Sequence, residues 1–376
     1  MTSKPIIVAG GGLGGLAVAL GMASKGKTVV VLEKAPELGE IGAGIQLGPN
    51  AFHALDYLGI GQSAREQAVY VERLCFMDAV TNEEVAQIPL GNKFRERFGN
   101  PYAVVHRADL HGEMVKACEK QKLIELHVNS EVTGYDQDSS GVTANLSSGE
   151  NVKGELLIGA DGLHSAVRAQ LLGDGMPRIS GHSTYRSVIP VEQFPEDIRW
   201  NAATLWMGPK CHLGHYPLSG WKVFNIVITK DNDATEVVAG KLLTKDQVRE
   251  NFNHIHEVPK QLIEIGQNWR VWVLCDRDPN EVWIDGQVVL LGDAAHPTLQ
   301  YYAQGACMAL EDAVCLSEII GNHPGNLDTA LVRYRDVRVV RTARIQIGSR
   351  QLGDNWFHVD GLHSKLRNEI MGGMSV

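Results

Sequence analysis

The 376 residues contain no Cys-x-x-Cys pair; the six cysteines, Cys75, Cys118, Cys211, Cys275, Cys307 and Cys315, are scattered along the chain. This argues against a zinc ribbon and against the disulfide framework of a small secreted domain, and a reducing cytoplasm is the expected setting. Proline is scarce, at 14 residues, and no Gly-x-y period is present, which excludes collagen-like and low-complexity architectures. Lys and Arg, 35 against 44 Asp and Glu for a net charge of -9, form no cluster longer than isolated pairs. A nucleic acid or an anionic membrane held by counterion release is therefore not expected, and small ligands are the expected partners. His, Cys and carboxylates nowhere take metal-ligand spacing, so no metal is expected.

Long uncharged runs are equally rare. The one candidate, Ile6 to Ser24 behind Lys4, imitates the apolar core of an export signal. Glycines at 10, 11, 12, 14, 15 and 21 interrupt it, so it reads as strand, tight turn and helix, with no membrane span.

Glycine itself is abundant, with 40 residues where an average of ~7% would give about 26. At 44% apolar content the chain can bury real cores, and at roughly 150 residues per domain its length suggests two of them. The stretch "PIIVAGGGLGGLAVALGMASKGKTVVVLEK" reads as a buried strand, a glycine turn, an apolar helix stopped at Gly26, and a second strand ending at Glu33. Gly10, Gly12 and Gly15 satisfy G-x-G-x-x-G: the first permits the turn, the second admits a pyrophosphate onto the helix N-terminus, and the third lets helix and strand pack closely. Glu33, about 20 residues on, can accept the ribose hydroxyls of an adenosine and repels a 2′-phosphate. The unit points to a dinucleotide without separating FAD from NAD.

Two later segments make that separation, "LLIGADGLHSAVR" (Leu156 to Arg168) and "VVLLGDAAHPTLQYYAQGACMALEDA" (Val288 to Ala313). With the amino-terminal unit they resemble, in order and spacing, the three fingerprints of the single-component FAD-dependent aromatic-ring hydroxylases. The resemblance implies an α/β fold of the para-hydroxybenzoate hydroxylase type. A Rossmann-like FAD-binding domain would span 1–69, 98–179 and 270–376, with an inserted β-sheet substrate domain formed by 70–97 and 180–269. It implies that Asp161 and Gly162, with Arg168, lie beside the flavin pyrophosphate, that Asp293 holds the ribityl chain, and that Gly305 and Ala306 bring backbone N–H groups to the flavin ring. Arg107 in "VVHRADLH" looks like the family's flavin-contacting arginine, and Leu13, Lys34, Gln46 and Val132 are further cofactor contacts implied by the same likeness. FAD is then the tightly bound cofactor. NADH is a visiting co-substrate, consistent with the absence of a second Gly-rich fingerprint, and oxygen transfer passes through a C4a-hydroperoxyflavin in a cavity closed to water.

The pocket strings "NPYAVVHRADLH", "GPKCHLGHYPLSGWK" and "CDRDP" resemble the 3-hydroxybenzoate 6-hydroxylase branch. Its reaction is para-hydroxylation of 3-hydroxybenzoate, a small aromatic hydroxy acid, to 2,5-dihydroxybenzoate (gentisate) with NADH and O₂. On the strand "CHLGHYP", His212 and Tyr216 are four apart and face one side of a sheet, while His215 faces the other. The likeness places His212 near the substrate hydroxyl, Tyr216 and Tyr102 along the ring or carboxylate, and Gln300 within hydrogen-bond reach. A phenol near pKa ~10 exceeds an imidazole near ~6.5 by about 3.5 units, so His212 is expected to withdraw the proton, aided by Gln300, only as oxygen transfer proceeds. His296 reads as a packing residue. Salicylate-type or another hydroxybenzoate or hydroxynicotinate hydroxylation, and a flavin-binding dehydrogenase without oxygenase activity, are the alternatives. The sequence ends "LRNEIMGGMSV", earlier than this branch, whose members continue with a Trp-rich segment, and homodimerisation is left open.

Overall fold

Four short apolar strands, Ile6–Ala9, Val29–Leu32, Leu156–Gly159 and Val288–Leu290, are buried almost throughout, with no alternation of inside and outside. That pattern suits a parallel sheet covered on both faces. In the computed structural model, which describes residues 4–39, 43–322 and 326–373, they pair in parallel with one another and with Ile124–His127. The sheet runs in the order Ile284–Asp285, Val288–Leu290, Leu156–Gly159, Ile6–Ala9, Val29–Leu32, Ile124–His127. The chain leaves the strand Ile6–Ala9 to one side and returns on the other, and a ligand crevice belongs at the carboxyl ends beside such a switch point.

The helix Leu13–Ser24 is apolar on all sides and almost wholly buried, as a helix enclosed by other elements must be. It packs against Gly305–Asn322 so closely that a Cβ on Gly21 would meet Ser317 Oγ at 2.5 Å.

A second sheet has eight strands, in the order Ala239–Leu242, Arg270–Asp276, Arg178–Pro190, Val223–Asp231, Cys211–Leu218, Ala202–Gly208, Arg73–Asp78, Glu84–Pro89. Here residues alternate. Leu213, Phe224, Ile226 and Ile228 enter a core closed by Phe252 and Leu262, while His212, Gly214, Tyr216 and Val227 face a cavity. The segment from 270, assigned from sequence to the FAD-binding part, begins instead as a strand of this sheet: Arg270–Asp276 pairs antiparallel with Arg178–Pro190 and with Ala239–Leu242. Its five consecutive apolar residues in "RVWVLCD" do not alternate, and most of them are only partly buried. Among the described residues no helix is long and apolar enough to cross a membrane.

Candidate active site

Four strand ends of the parallel sheet bring Gly10, Glu33, Ala160 with Asp161, and Gly292 with Asp293 to the rim of one cavity of about 1170 Å³, whose far wall is the eight-stranded sheet. Gly10 has φ +103°, and a Cβ there would stand 2.4 Å from Ala160 O. Only glycine can bridge the two strands at that point. Gly12 caps the helix Leu13–Ser24 with no side-chain bond, so the first backbone N–H groups are directed into the crevice where an anion is favoured. Glu33 accepts from Gly11 N at 2.7 Å and Ala35 N at 2.9 Å. Each carboxylate oxygen retains acceptor capacity for a hydroxyl.

Leu13, Lys34, Gln46, Arg107 and Val132 line the same cavity. Arg107 opens the helix Arg107–Glu119. Asp161 accepts from the N–H groups of Ala166 and Val167 with one oxygen, at 2.8 and 3.2 Å, and burial raises its pKa. Asp293 also faces the cavity, with its carboxyl pushed up by burial. Gly305 and Ala306 begin the helix Gly305–Asn322 and complete the wall. A dinucleotide with a flavin ring fits this chain of glycine turn, acid and two helix starts.

Two residues of these motifs stand outside the cavity wall, Gly15 in the packing role expected of it and Arg168 against expectation. Gly15 is not in the wall; a Cβ on it would meet Gly10 O at 1.9 Å, so it serves the packing of turn on helix. Arg168, only 1% exposed, turns away from the cavity. Its guanidinium donates to Asp174 Oδ2 at 2.9 and 2.7 Å and to the carbonyls of Ala294 and Ala295 at 3.0 and 2.7 Å. It therefore clamps the turn that follows Asp293, and its long side chain decides this in a way the motif does not show. His296 is buried, bonded to Asp312 Oδ2 at 2.5 Å, and Asp312 also receives Arg338 Nε at 2.6 Å. Burial works against the Asp312 charge, but His296 and Arg338 outweigh it and hold the carboxyl below its ordinary range.

At the other end of the cavity, the strand Cys211–Leu218 presents His212 and Tyr216. Its opposite face buries His215 against Phe194, Trp200, Trp206 and Phe224. Tyr102 donates its hydroxyl to Gln46 Oε1, and burial raises the pKa values of both Tyr102 and Tyr216. The ring of Tyr216 lies on Gly44, where a Cβ would come within 2.4 Å of it. Gln300 donates Nε2 to Thr184 Oγ1 at 3.1 Å and Thr229 Oγ1 at 2.9 Å. His212 is 4% exposed, its Nδ1 lies 2.8 Å from His358 Nε2, and burial depresses its pKa to about 3.

Sequence reading missed four members of this end. Arg186 lines the cavity and donates Nη2 to Gln300 Oε1 at 3.0 Å. Its signal was available: a charged residue in the strand "STYRSVIP", two places from Thr184 and so on the same face. His358 and the His182–Tyr301 pair beside it, with His182 Nδ1 to Tyr301 Oη at 2.5 Å, come from distant segments and carried no local signal.

The family described as FAD binding domain matches residues 3–331. The chain is 55% identical over 370 residues to 3-hydroxybenzoate 6-hydroxylase 1 of Aquipseudomonas alcaligenes, covering 98% of this chain and 94% of that one. It is 46% identical over 369 residues to 3-hydroxybenzoate 6-hydroxylase of Polaromonas naphthalenivorans, covering 98% and 92%. Among solved structures, Klebsiella pneumoniae HpxO complexed with FAD and uric acid superposes with a TM-score of 0.86 at 26% identity, over 99% of this chain and 93% of that one. With its switch-point crevice, its glycine cradle and this agreement over nearly its whole length, the chain belongs to the FAD binding domain family, among the FAD-dependent aromatic hydroxylases.

Proposed function

We propose that the protein is an FAD-dependent monooxygenase that uses NADH and O₂ to hydroxylate 3-hydroxybenzoate at the carbon para to its hydroxyl, giving 2,5-dihydroxybenzoate. The observation that carries this reading is the 55% identity over 98% of the chain to a 3-hydroxybenzoate 6-hydroxylase. The walls of the cavity agree with it. FAD bound there and reduced by NADH would pass two electrons to O₂, one oxygen atom going to the ring and the other leaving as water.

The protein's own residues supply the rest. Gly10, Gly12, Leu13, Glu33, Lys34, Gln46, Arg107, Val132, Asp161, Asp293, Gly305 and Ala306 line the part of the cavity that suits the cofactor. Leu74, Phe76, Ile88 and Leu205 make the floor beneath the aromatic ring apolar, which keeps water from the reacting carbon. Arg186 supplies a fixed positive charge for the carboxylate, and charge-assisted bonds of this kind are the strong ones. His212 meets the ring hydroxyl, while Tyr216 and Tyr102 border the ring. Gln300 Oε1, holding Arg186 with one lone pair, offers the second to the hydroxyl proton. Six free cysteines suit a reducing cytoplasm. Homodimerisation is read by sedimentation against the chain mass of 41.1 kDa.

The test is turnover of the holoenzyme with NADH and each hydroxybenzoate isomer, scoring ring product and hydrogen peroxide separately. The expected result is 2,5-dihydroxybenzoate from the 3-isomer, formed in step with NADH oxidation. Catechol and CO₂ from the 2-isomer, or NADH oxidation with peroxide alone for every isomer, would overturn the reading.

A further inference from the structure

We propose that His358 is a positioning residue that fixes the tautomer of His212, so that His212 presents an N–H from Nε2 to the cavity rather than a bare nitrogen. The inference concerns the protein's own hydrogen bonds, and its bearing on the substrate hydroxyl rests on the function proposed above.

The two imidazoles meet between His212 Nδ1 and His358 Nε2 at 2.8 Å, with ring planes 21° apart. Both rings are buried, at 4% and 6% exposure, and burial depresses both pKa values, to about 3 and about 2. Each ring is then neutral and carries a single proton, and one proton lies between them. Two arrangements satisfy that contact. Either His358 Nε2–H donates and His358 Nδ1 is bare, or His212 Nδ1–H donates and the proton of His358 sits on Nδ1.

The surroundings of His358 Nδ1 decide between them. That atom is enclosed and has no hydrogen-bond partner among the described residues. The carboxylates nearby, Asp231 and Asp354, approach the neighbouring His182 Nε2 at 3.9 and 3.7 Å. His182 in turn directs Nδ1 to the Tyr301 hydroxyl. A buried N–H without an acceptor is rarer and more costly than an under-used acceptor. The arrangement with a bare His358 Nδ1 is therefore favoured, by roughly tenfold to a hundredfold in population. His358 cannot easily move to escape this choice: its backbone N–H donates to Gly353 O at 3.1 Å, and its carbonyl accepts from Lys210 N at 2.9 Å.

His212 Nδ1 is thus an acceptor, and its proton resides on Nε2, the nitrogen left to the cavity. Toward a phenol this group donates. It stabilises negative charge on the ring oxygen and does not take its proton, a role opposite to the proton withdrawal expected from the sequence.

The experiment is nitrogen-15 NMR of the FAD-loaded protein labelled at histidine, without substrate, with His212 assigned by comparison with His212→Gln. A protonated His212 Nε2 and a bare Nδ1 are expected; the reverse overturns the proposal whatever the activity. A second readout is the apparent pKa of bound 3-hydroxybenzoate, followed by ultraviolet difference absorption. His358→Gln places an amide N–H where Nε2 stood and is expected to keep the wild-type value within a few tenths of a unit. His358→Glu places an acceptor there, reverses His212, and is expected to raise it by about one unit or more. Equal values in the two variants, or a lower one with Glu, overturn the proposal. Product analysis of the wild type is separate: failure to form 2,5-dihydroxybenzoate overturns the function and leaves the tautomer result standing.

Discussion

Arg186 Nη2 donates to Gln300 Oε1 at 3.0 Å across 114 residues of sequence. The contact orients the Gln300 amide, whose two N–H groups go to Thr184 and Thr229, and it holds Arg186, whose Cζ also lies 5.6 Å from the centre of the Trp272 ring. A cation is thus anchored from two sides in the wall of a largely apolar cavity, and on the proposed function it orients the substrate carboxylate.

Arg186→Met removes that cation. The KM for 3-hydroxybenzoate is expected to rise about tenfold to a hundredfold, the equivalent of one charge-assisted hydrogen bond. Binding of phenol, which has no carboxylate, should change less than threefold. Steady-state kinetics with the two ligands, one as substrate and one as inhibitor, measure the difference.

His212→Ala is expected to leave reduction of the flavin by NADH intact while the rate of ring hydroxylation falls by roughly a hundredfold, as when one preorganised donor is removed. Hydrogen peroxide should account for the missing product. An unchanged yield and rate of 2,5-dihydroxybenzoate would remove His212 from the reaction.

Gly10→Ala forces a side chain into a backbone at φ +103° and against Ala160 O. The strain, on the order of 1–3 kcal/mol before any clash is relieved, opens the turn between the two strands. Flavin absorbance per chain after gel filtration should drop well below the wild-type ratio, with a melting temperature lower by several degrees.

Acid should weaken the fold before the carboxylates titrate. Burial depresses the pKa values of His212, His215 and His358 to about 3, 3 and 2, whereas the unfolded chain binds these protons near ~6.5. The stability they contribute is complete above that value and is lost as pH falls below it, at up to about 1.4 kcal/mol per pH unit for each ring. His215 makes the cleanest test, because both its ring nitrogens are enclosed and without a partner among the described residues. His215→Leu should stabilise the protein more at about pH 5.5 than at pH 7, read from urea midpoints. An equal effect at both would show that His215 does not titrate on unfolding.

What could be read from the chain and what could not divide along particular residues. Gly10, Gly12 and Glu33 were legible because strand, turn and helix are built from neighbours, and the reach of each backbone N–H is set within a few residues. The shared face of His212 and Tyr216 was legible from the two-residue period of a strand. Arg168 was misplaced by the family likeness: its motif is local, but its guanidinium reaches Asp174 and the carbonyls of Ala294 and Ala295. The segment from 270 was assigned to the FAD-binding part because a boundary drawn by changes in composition does not reveal that Arg270–Asp276 pairs with Arg178–Pro190.

The amino-acid order by itself determined the two kinds of sheet, the glycine cradle and the face on which His212 stands, since each follows from steric rules acting over a few residues. Only the tertiary structure decided the partners of those groups: that Arg186 meets Gln300, that Arg168 turns inward, and that His358, 146 residues from His212, bonds to its Nδ1. The physical reason is that hydrogen bonds in a buried site are settled by which polar atoms the packing leaves within about 3 Å of one another, and no local pattern encodes that distance.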